Sequence, residues 1–318
     1  MQVPATIVAL CLPAYMQAVT RAARLLPMNS PTVSVPPLPV DAGCRCCAAR
    51  GGTWQARRAF VLAAAGTLVL PAAAQVEVGS ASGMRRLVPA ETLEDSAVQQ
   101  YSQLLAQAKA KRALAPDNHP QLLKLRAIAR QIIPYAAQWN SRAAQWRWEV
   151  NLIGSKQINA FCMPGGKIAF YTGILDQLKL TDDEIAMVMG HEMAHALREH
   201  ARSRVAKSQA TSIGLSLGAQ LLGLGDLGNA AANLGTQLLT LKFSRSDETD
   251  ADLVGLELAA RAGYNPQAAV SLWRKMGEAT GNGGIAFLST HPSGPDRIRE
   301  LEQNVPKVQG LYQASRRG

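Results

Sequence analysis

The feature that most narrows what this chain can fold into is a helix start followed by two histidines one turn apart. Thr181-Asp182-Asp183-Glu184 has the Ser/Thr-x-x-Glu pattern in which the first and last side chains cap each other's backbone amides. The apolar-periodic run that it opens carries His191-Glu192-Met193-Ala194-His195. A spacing of i, i+4 puts both imidazoles on one face, where they can share one ion, and leaves Glu192 near enough to reach a water on it. A pair of neutral imidazoles suits Zn2+. The periodicity predicts that this helix continues to about residue 205.

A catalytic zinc needs a third protein ligand and an open position. A third His six residues beyond His195 would complete one known pattern, but Ala201 stands there. His200 is one residue short of it and on the wrong face, and reads as a surface histidine or one that supports the ligands. Glu248-Thr249-Asp250-Ala251-Asp252 offers a better candidate, an E-x-x-x-D pair on a second helix expected over residues 246–262. Glu248 can be the third ligand. Asp252, one turn on, can accept the free N–H of a ligand His and hold its tautomer. Ala251, Leu253, Val254 and Leu256 make that helix partly buried, and buried carboxylates need partners.

Around these helices the pattern predicts an α+β fold, mainly helical, with a small antiparallel sheet. Helical periodicity covers residues 93–114 and 121–139, separated by the turn Ala115-Pro116-Asp117-Asn118-His119-Pro120. The period then changes, giving short strands at 146–153, 158–163 and 167–172, with Pro164-Gly165-Gly166 as a hairpin turn. Residues 211–241 are small, apolar and Gly-rich, and read as a packing segment, a lid or a membrane contact. Further helices are expected at 266–279 and 295–304, with a Gly-rich loop at 281–284 between them and a tail over 306–318. The lone Cys162, between Phe161 and Met163, reads as a strand or core residue.

The N-terminal quarter reads as an address. Ala56-Arg57-Arg58-Ala59-Phe60-Val61-Leu62 opens an apolar run that reaches Pro71, followed by Ala72-Ala73-Ala74 and the polar Gln75. A basic start, an apolar middle and a small-residue exit are the parts of a secretory signal, and Arg57-Arg58-x-Phe60 has twin-arginine character. Residues 1–55 read as a leader or a mis-assigned start, 56–74 as the signal, 75–92 as a flexible lead and 93–305 as the catalytic domain. Cleavage near Ala74 would leave Cys162 as the only cysteine of the five, and so no intramolecular disulfide. Six Arg and one Asp before residue 75 also account for half of the net charge of +10. The remaining basicity forms no Lys/Arg stripe with interleaved aromatics, so nucleic acid is an improbable partner. After residue 75 no run of about 20 apolar residues marks a membrane span.

Together, His191-Glu192-x-x-His195, Glu248-x-x-x-Asp252, Thr290-His291-Pro292-x-x-x-x-Arg297-Ile298 and Asn159-Ala160-Phe161-x-Met163-Pro164-Gly165-Gly166 resemble the zinc metallopeptidase family of the CAAX prenyl endoproteases and HtpX, and most of all its soluble, exported bacterial members. The resemblance spans about residues 90–305. It implies a gluzincin-like domain holding one zinc per chain through His191, His195 and Glu248, with Glu192 as general base. It also implies that His291 and Arg297 contact the substrate or the oxyanion. The strand at Asn159, Ala160 and Phe161 is a candidate to pair with an extended substrate. The expected function is a periplasmic endopeptidase for misfolded or unassembled envelope proteins, with outer-membrane assembly machinery and the membrane surface as further partners. The rival is an exported holdase that grips chains in the same cleft; an intact Glu192 favours hydrolysis, since a binder needs no base.

Overall fold

The computed structural model describes residues 76–221, 238–280, 285–292 and 296–317. The leader, the signal, the loop at 281–284 and residues 222–237 of the Gly-rich stretch lie outside them. In chain order the elements are α1 (Ala90–Ala110), α2 (Pro120–Ile132), β1 (Glu149–Ile153), β2 (Ala160–Met163), β3 (Lys167–Tyr171), α3 (Thr172–Leu178), α4 (Asp182–Leu197), α5 (His200–Leu221), α6 (Arg245–Arg261), α7 (Ala268–Thr280), α8 (Ala286–Thr290) and α9 (Arg297–Ser315). No helix among the described residues is long and apolar enough to cross a membrane.

Helix α4 starts as its sequence dictates. Thr181 Oγ1 accepts from the Glu184 amide, and Glu184 Oε2 accepts from the Thr181 amide at 2.8 Å. Glu184 is itself buried, and α7 reaches it with Lys275 Nζ at 2.6 Å and Ser271 Oγ at 2.7 Å. Burial alone would raise its carboxyl pKa, but these donors hold it below the usual value. Helix α6 has a cap of the same kind: Ser244 Oγ accepts from the Asp247 amide, and Asp247 Oδ2 accepts from the Ser244 amide. That cap fixes Glu248 in the first turn.

Helices α4 and α6 cross where Gly190 faces Gly255. A Cβ on Gly190 would stand 2.6 Å from the Gly255 carbonyl oxygen, and one on Gly255 would stand 2.6 Å from the His191 amide nitrogen. The backbones touch, and the crossing lies next to His191 and one turn beyond Asp252. Leucine, valine and alanine side chains of both helices fill the main core on either side.

The sheet has the order β1-β3-β2 and is mixed rather than antiparallel. β2 and β3 form the expected hairpin, with Gly165 and Gly166 at positive φ and Cys162 opposite Ile168. β1, however, runs parallel to β3, with Val150 opposite Ile168. After Ile153 the chain does not fold back beside β1. It crosses to the far side of β3, its path fixed by Gly154 N–H donating to Ala113 O at 2.6 Å and by Gly173 N–H donating to Ser155 O at 2.8 Å. β2 is therefore an edge strand, packed against α4.

Several boundaries differ from the sequence expectation by a few residues, and three segments differ by more. Helix α4 ends at Leu197 rather than near residue 205, because Glu199 adopts a left-handed backbone (φ 57°) and α5 restarts at His200. Helix α9 runs through Pro306 to Ser315, held by buried Leu301, Val305 and Val308, where a tail was expected after residue 305. Residues 76–92, expected to be a flexible lead, include a 3-10 helix at Gly83–Leu87, and Val76 is buried with its N–H donating to the fully buried Glu257 at 2.6 Å.

The glycine crossing predicts opposite outcomes for two alanine substitutions. Gly255→Ala should destabilise the protein by about 1–3 kcal/mol through overpacking. Gly277→Ala, on an exposed position of α7 with nothing within 4 Å, should stabilise by roughly 0.5–1 kcal/mol. Urea unfolding of the two variants checks both signs.

Candidate metal centre

His191, His195, Glu248 and His291 each offer one ligand atom, and the four atoms lie within 4.8 Å of one another. All four residues are buried. The two histidines of α4 present Nε2 to Nε2 at 3.1 Å. Glu248, from the first turn of α6, reaches them with Oε1 3.4 Å from His195 Nε2 and Oε2 3.6 Å from His191 Nε2. The chain thus brings together all three ligands expected from the sequence.

The nitrogen pair tests whether a metal fits. His191 Nδ1 lies 2.9 Å from Asp252 Oδ1, and a carboxylate can only accept, so the His191 proton sits on Nδ1 and its Nε2 lone pair faces inward. Two inward-facing nitrogens about 3 Å apart repel unless a cation lies between them. Tetrahedral zinc with bonds of 2.0–2.1 Å separates its ligand nitrogens by roughly 3.3 Å. Glu248 Oε2 is buried and makes no well-aligned hydrogen bond, its one charged neighbour besides the rings being Arg297 Nη1 at 3.1 Å, so the oxygen keeps lone-pair capacity for a cation. The donor set fits one zinc ion.

The surrounding charges keep the ligands in the state that metal binding requires. Burial holds the His195 pKa well below its ordinary value, so the ring is neutral. Burial would raise the Glu248 carboxyl, but the rings of His195 and His291 hold it well below the carboxylate range. Asp252 would also be raised by burial, and Arg297 with His191 holds it down. Glu192 is different: burial pushes its pKa up, against the pull of His291 and His191, and Oε1 has no hydrogen-bond donor.

His291 sits at the meeting point of these groups rather than at a distance across a cleft. Its Nδ1 is 3.1 Å from Glu248 Oε1 and 3.3 Å from His191 Nε2, and its Nε2 is 3.6 Å from Glu192 Oε1. Burial disfavours its charged form, but the carboxylates of Glu192 and Glu248 outweigh that and raise its pKa. Phe287 stacks on its ring at 4.3 Å, and Phe243 stacks on His195 at 4.0 Å. Arg297 is buried against the carboxylates of α6. Its Nε and Nη2 meet Asp252 at 2.5 and 2.7 Å, its Nη1 is 3.1 Å from Glu248 Oε2, and its guanidinium covers the Trp273 ring. It acts on the centre through those two carboxylates.

On the other side, β2 borders a cavity of about 40 Å³ lined by Phe161, Cys162, Glu192, His195, Phe243 and His291. Asn159 and Ala160 line it too, so the strand singled out from the sequence lies beside Glu192. Such a space holds a water. Cys162 is buried, and burial raises its thiol pKa far above the usual value, so it stays an inert thiol.

Sequence reasoning did not reach the two phenylalanine lids, or Asp250 as a partner of His200. Asp250 was visible in Glu248-x-Asp250-x-Asp252, but only the fold shows that α5 returns a histidine to it.

Arg297→Met should expose the dependence of Asp252 on its guanidinium. Removing one partner of a buried ion pair typically costs about 3–5 kcal/mol. Because the folded pKa of Asp252 is depressed, its contribution is complete above the unfolded value of about 4 and is lost as pH falls through the folded one. The variant should therefore unfold in acid at higher pH than wild type, as read by circular dichroism along a pH series.

Comparison with known proteins agrees with this geometry. The description of Peptidase family M48 matches residues 123–305. The chain is similar to the mitochondrial metalloendopeptidase OMA1 of Schizosaccharomyces pombe, 37% identical over 199 residues, covering 62% of this chain and 56% of that protein. It is similar to the metalloprotease LoiP of Escherichia coli, 26% identical over 226 residues, covering 68% of this chain and 80% of LoiP. It also matches the beta-barrel assembly-enhancing protease of Yersinia pestis, 25% identical over 183 residues, covering 53% of this chain and 37% of that one. The chain spans a little over half the length of the fission-yeast protein. With the family description covering more than half of its residues, and with the zinc-compatible donor set in place, the chain belongs to Peptidase family M48.

Proposed function

We propose that this chain is an exported zinc endopeptidase that cleaves misfolded or unassembled envelope proteins in the periplasm. The observation that carries the hydrolytic part is the buried set of His191, His195 and Glu248, with the unbonded Glu192 Oε1 beside it and the edge strand β2 along the same cavity. A protein that only gripped chains would need neither the donor set nor the carboxylate.

When bound, zinc supplies a water of lowered pKa and polarises the scissile carbonyl. The residues of the chain divide the remaining work. Glu192, with its raised pKa, takes a proton from the attacking water and returns it to the leaving nitrogen as the C–N bond breaks. His291, favoured as a cation by Glu192 and Glu248, donates to the carbonyl oxygen as negative charge grows there. Asp252 holds the His191 tautomer, and Arg297 holds Asp252. An extended substrate adds beside β2 through main-chain contacts, which gives affinity with little sequence demand. That suits a protease for unfolded chains.

The periplasmic assignment rests on the signal-like segment at 56–74, while similarity to LoiP and to the beta-barrel assembly-enhancing protease supports a metalloprotease of bacterial type. The latter's name speaks of beta-barrel assembly, which is the reason to keep outer-membrane assembly machinery among the proposed partners. OMA1 is mitochondrial by name, so similarity to it supports the chemistry rather than the compartment.

Glu192→Gln should keep zinc and lower kcat on an unfolded casein by about 10²–10⁴-fold. Glu248→Ala should lose zinc as well as activity. Cleavage and metal content measured together decide the reading: zinc in both wild type and Glu192→Gln with cleavage by neither would favour the holdase. Fractionation of the native cells, with N-terminal sequencing of the mature protein, should find a periplasmic chain starting near Gln75.

A further inference from the structure

His200 is buried and belongs to none of the expected ligand sets. The left-handed turn at Glu199 takes it off the face of α4 and starts α5 with it, so that its ring comes back against His195. His200 Nδ1 lies 3.0 Å from His195 Nδ1, and His200 Nε2 lies 3.0 Å from Asp250 Oδ2. The same carboxylate oxygen takes Arg198 Nε at 2.7 Å, which supplies its counter-charge. The turn is held from outside by Arg85 on Glu199 at 2.9 Å and by Arg202 on Glu199 at 2.6 Å.

Two imidazole nitrogens at hydrogen-bond distance allow only one proton between them. If His200 donated, His195 would carry its own proton on Nε2, the atom that faces the metal, and could not bind it. Asp250 decides the direction. A carboxylate accepts only, so His200 Nε2 donates to it and His200 Nδ1 is left with a lone pair. His195 must then donate from Nδ1, which turns its Nε2 lone pair toward the centre.

We propose that Asp250 and His200 are positioning residues for the metal, a carboxylate–imidazole relay that fixes the ligating tautomer of His195 as Asp252 fixes that of His191. The inference rests on the reading of His195 as a zinc ligand. Each of the two α4 histidines then answers to its own aspartate on α6, two residues apart, one directly and one through an intervening ring.

The test is the zinc affinity of the full-length protein, measured by competition with a chromophoric chelator, together with the urea midpoint of the metal-free form. His200→Leu removes the acceptor and should weaken zinc binding about 10–100-fold. His200→Gln restores it, because its amide oxygen accepts from His195 and its amide nitrogen donates to Asp250, and affinity should return to within about threefold of wild type. Asp250→Asn, which can donate to His200 and reverse the relay, should fall between them. A purely structural His200 would lower the metal-free urea midpoint of both His200 variants alike and leave no affinity difference between Leu and Gln. Equal affinities for Leu, Gln and wild type, or equal losses in Leu and Gln, overturn the relay. Failure of the wild type itself to take up zinc overturns the zinc-ligand reading of His195, and the relay with it.

Discussion

The centre depends on how closely two helices can approach. Gly190 and Gly255 let the backbones of α4 and α6 touch, and the reach of Glu248 and Asp252 to the α4 histidines goes with that contact. His191 sits directly beside the crossing. Asp252 is one turn from it on the partner helix and Glu248 two turns, so the carboxylates reach the imidazoles with side chains of ordinary length. A wider crossing would leave an aspartate at 252 short of His191. The two capping boxes, at Thr181 and Ser244, then set where each helix begins and hence which residues fall at the crossing.

The second constraint is charge. Three histidines, Glu192, Glu248, Asp252 and Arg297 are buried in one small volume, at a desolvation cost that only mutual pairing offsets. The pairing is directional. Arg297 and Asp252 satisfy each other and set the proton position on His191, while Glu248 is stabilised as an anion by the rings around it. Glu192 differs from Glu248 in that burial prevails and raises its pKa, while one of its oxygens lacks a donor. Evolution of such a cluster for stability alone would be expected to pair or remove that group; its isolation fits the proton-carrying role proposed for it.

The metal centre was legible in the sequence because its signals are local and periodic. A cap, an i, i+4 histidine pair and an i, i+4 acidic pair each fix their own geometry within one helix. The sheet topology was legible only in part. The Pro164-Gly165-Gly166 turn specifies the β2–β3 hairpin, but the parallel pairing of β1 arises from a crossing held by Gly154 and Gly173, whose contacts are long-range. The break after Leu197 was hidden for a similar reason. Nothing in the apolar pattern stops α4 there, and the left-handed Glu199 is secured by Arg85, more than a hundred residues earlier in the chain. The pairing of Arg297 with Asp252 and Glu248 is not readable from its motif, which tells which residues gather at a site and not which partners each one takes.

Val76 donates its backbone N–H to Glu257, a fully buried carboxylate whose other partner is Arg261, on α6 itself. Loss of Val76 would take one of two donors from Glu257 and leave that buried carboxylate to Arg261 alone, within the helix that carries Glu248. The segment ahead of α1 is thus part of the support of the ligand helix, and a change at Val76 reaches the metal centre through α6 rather than through any group of the site itself.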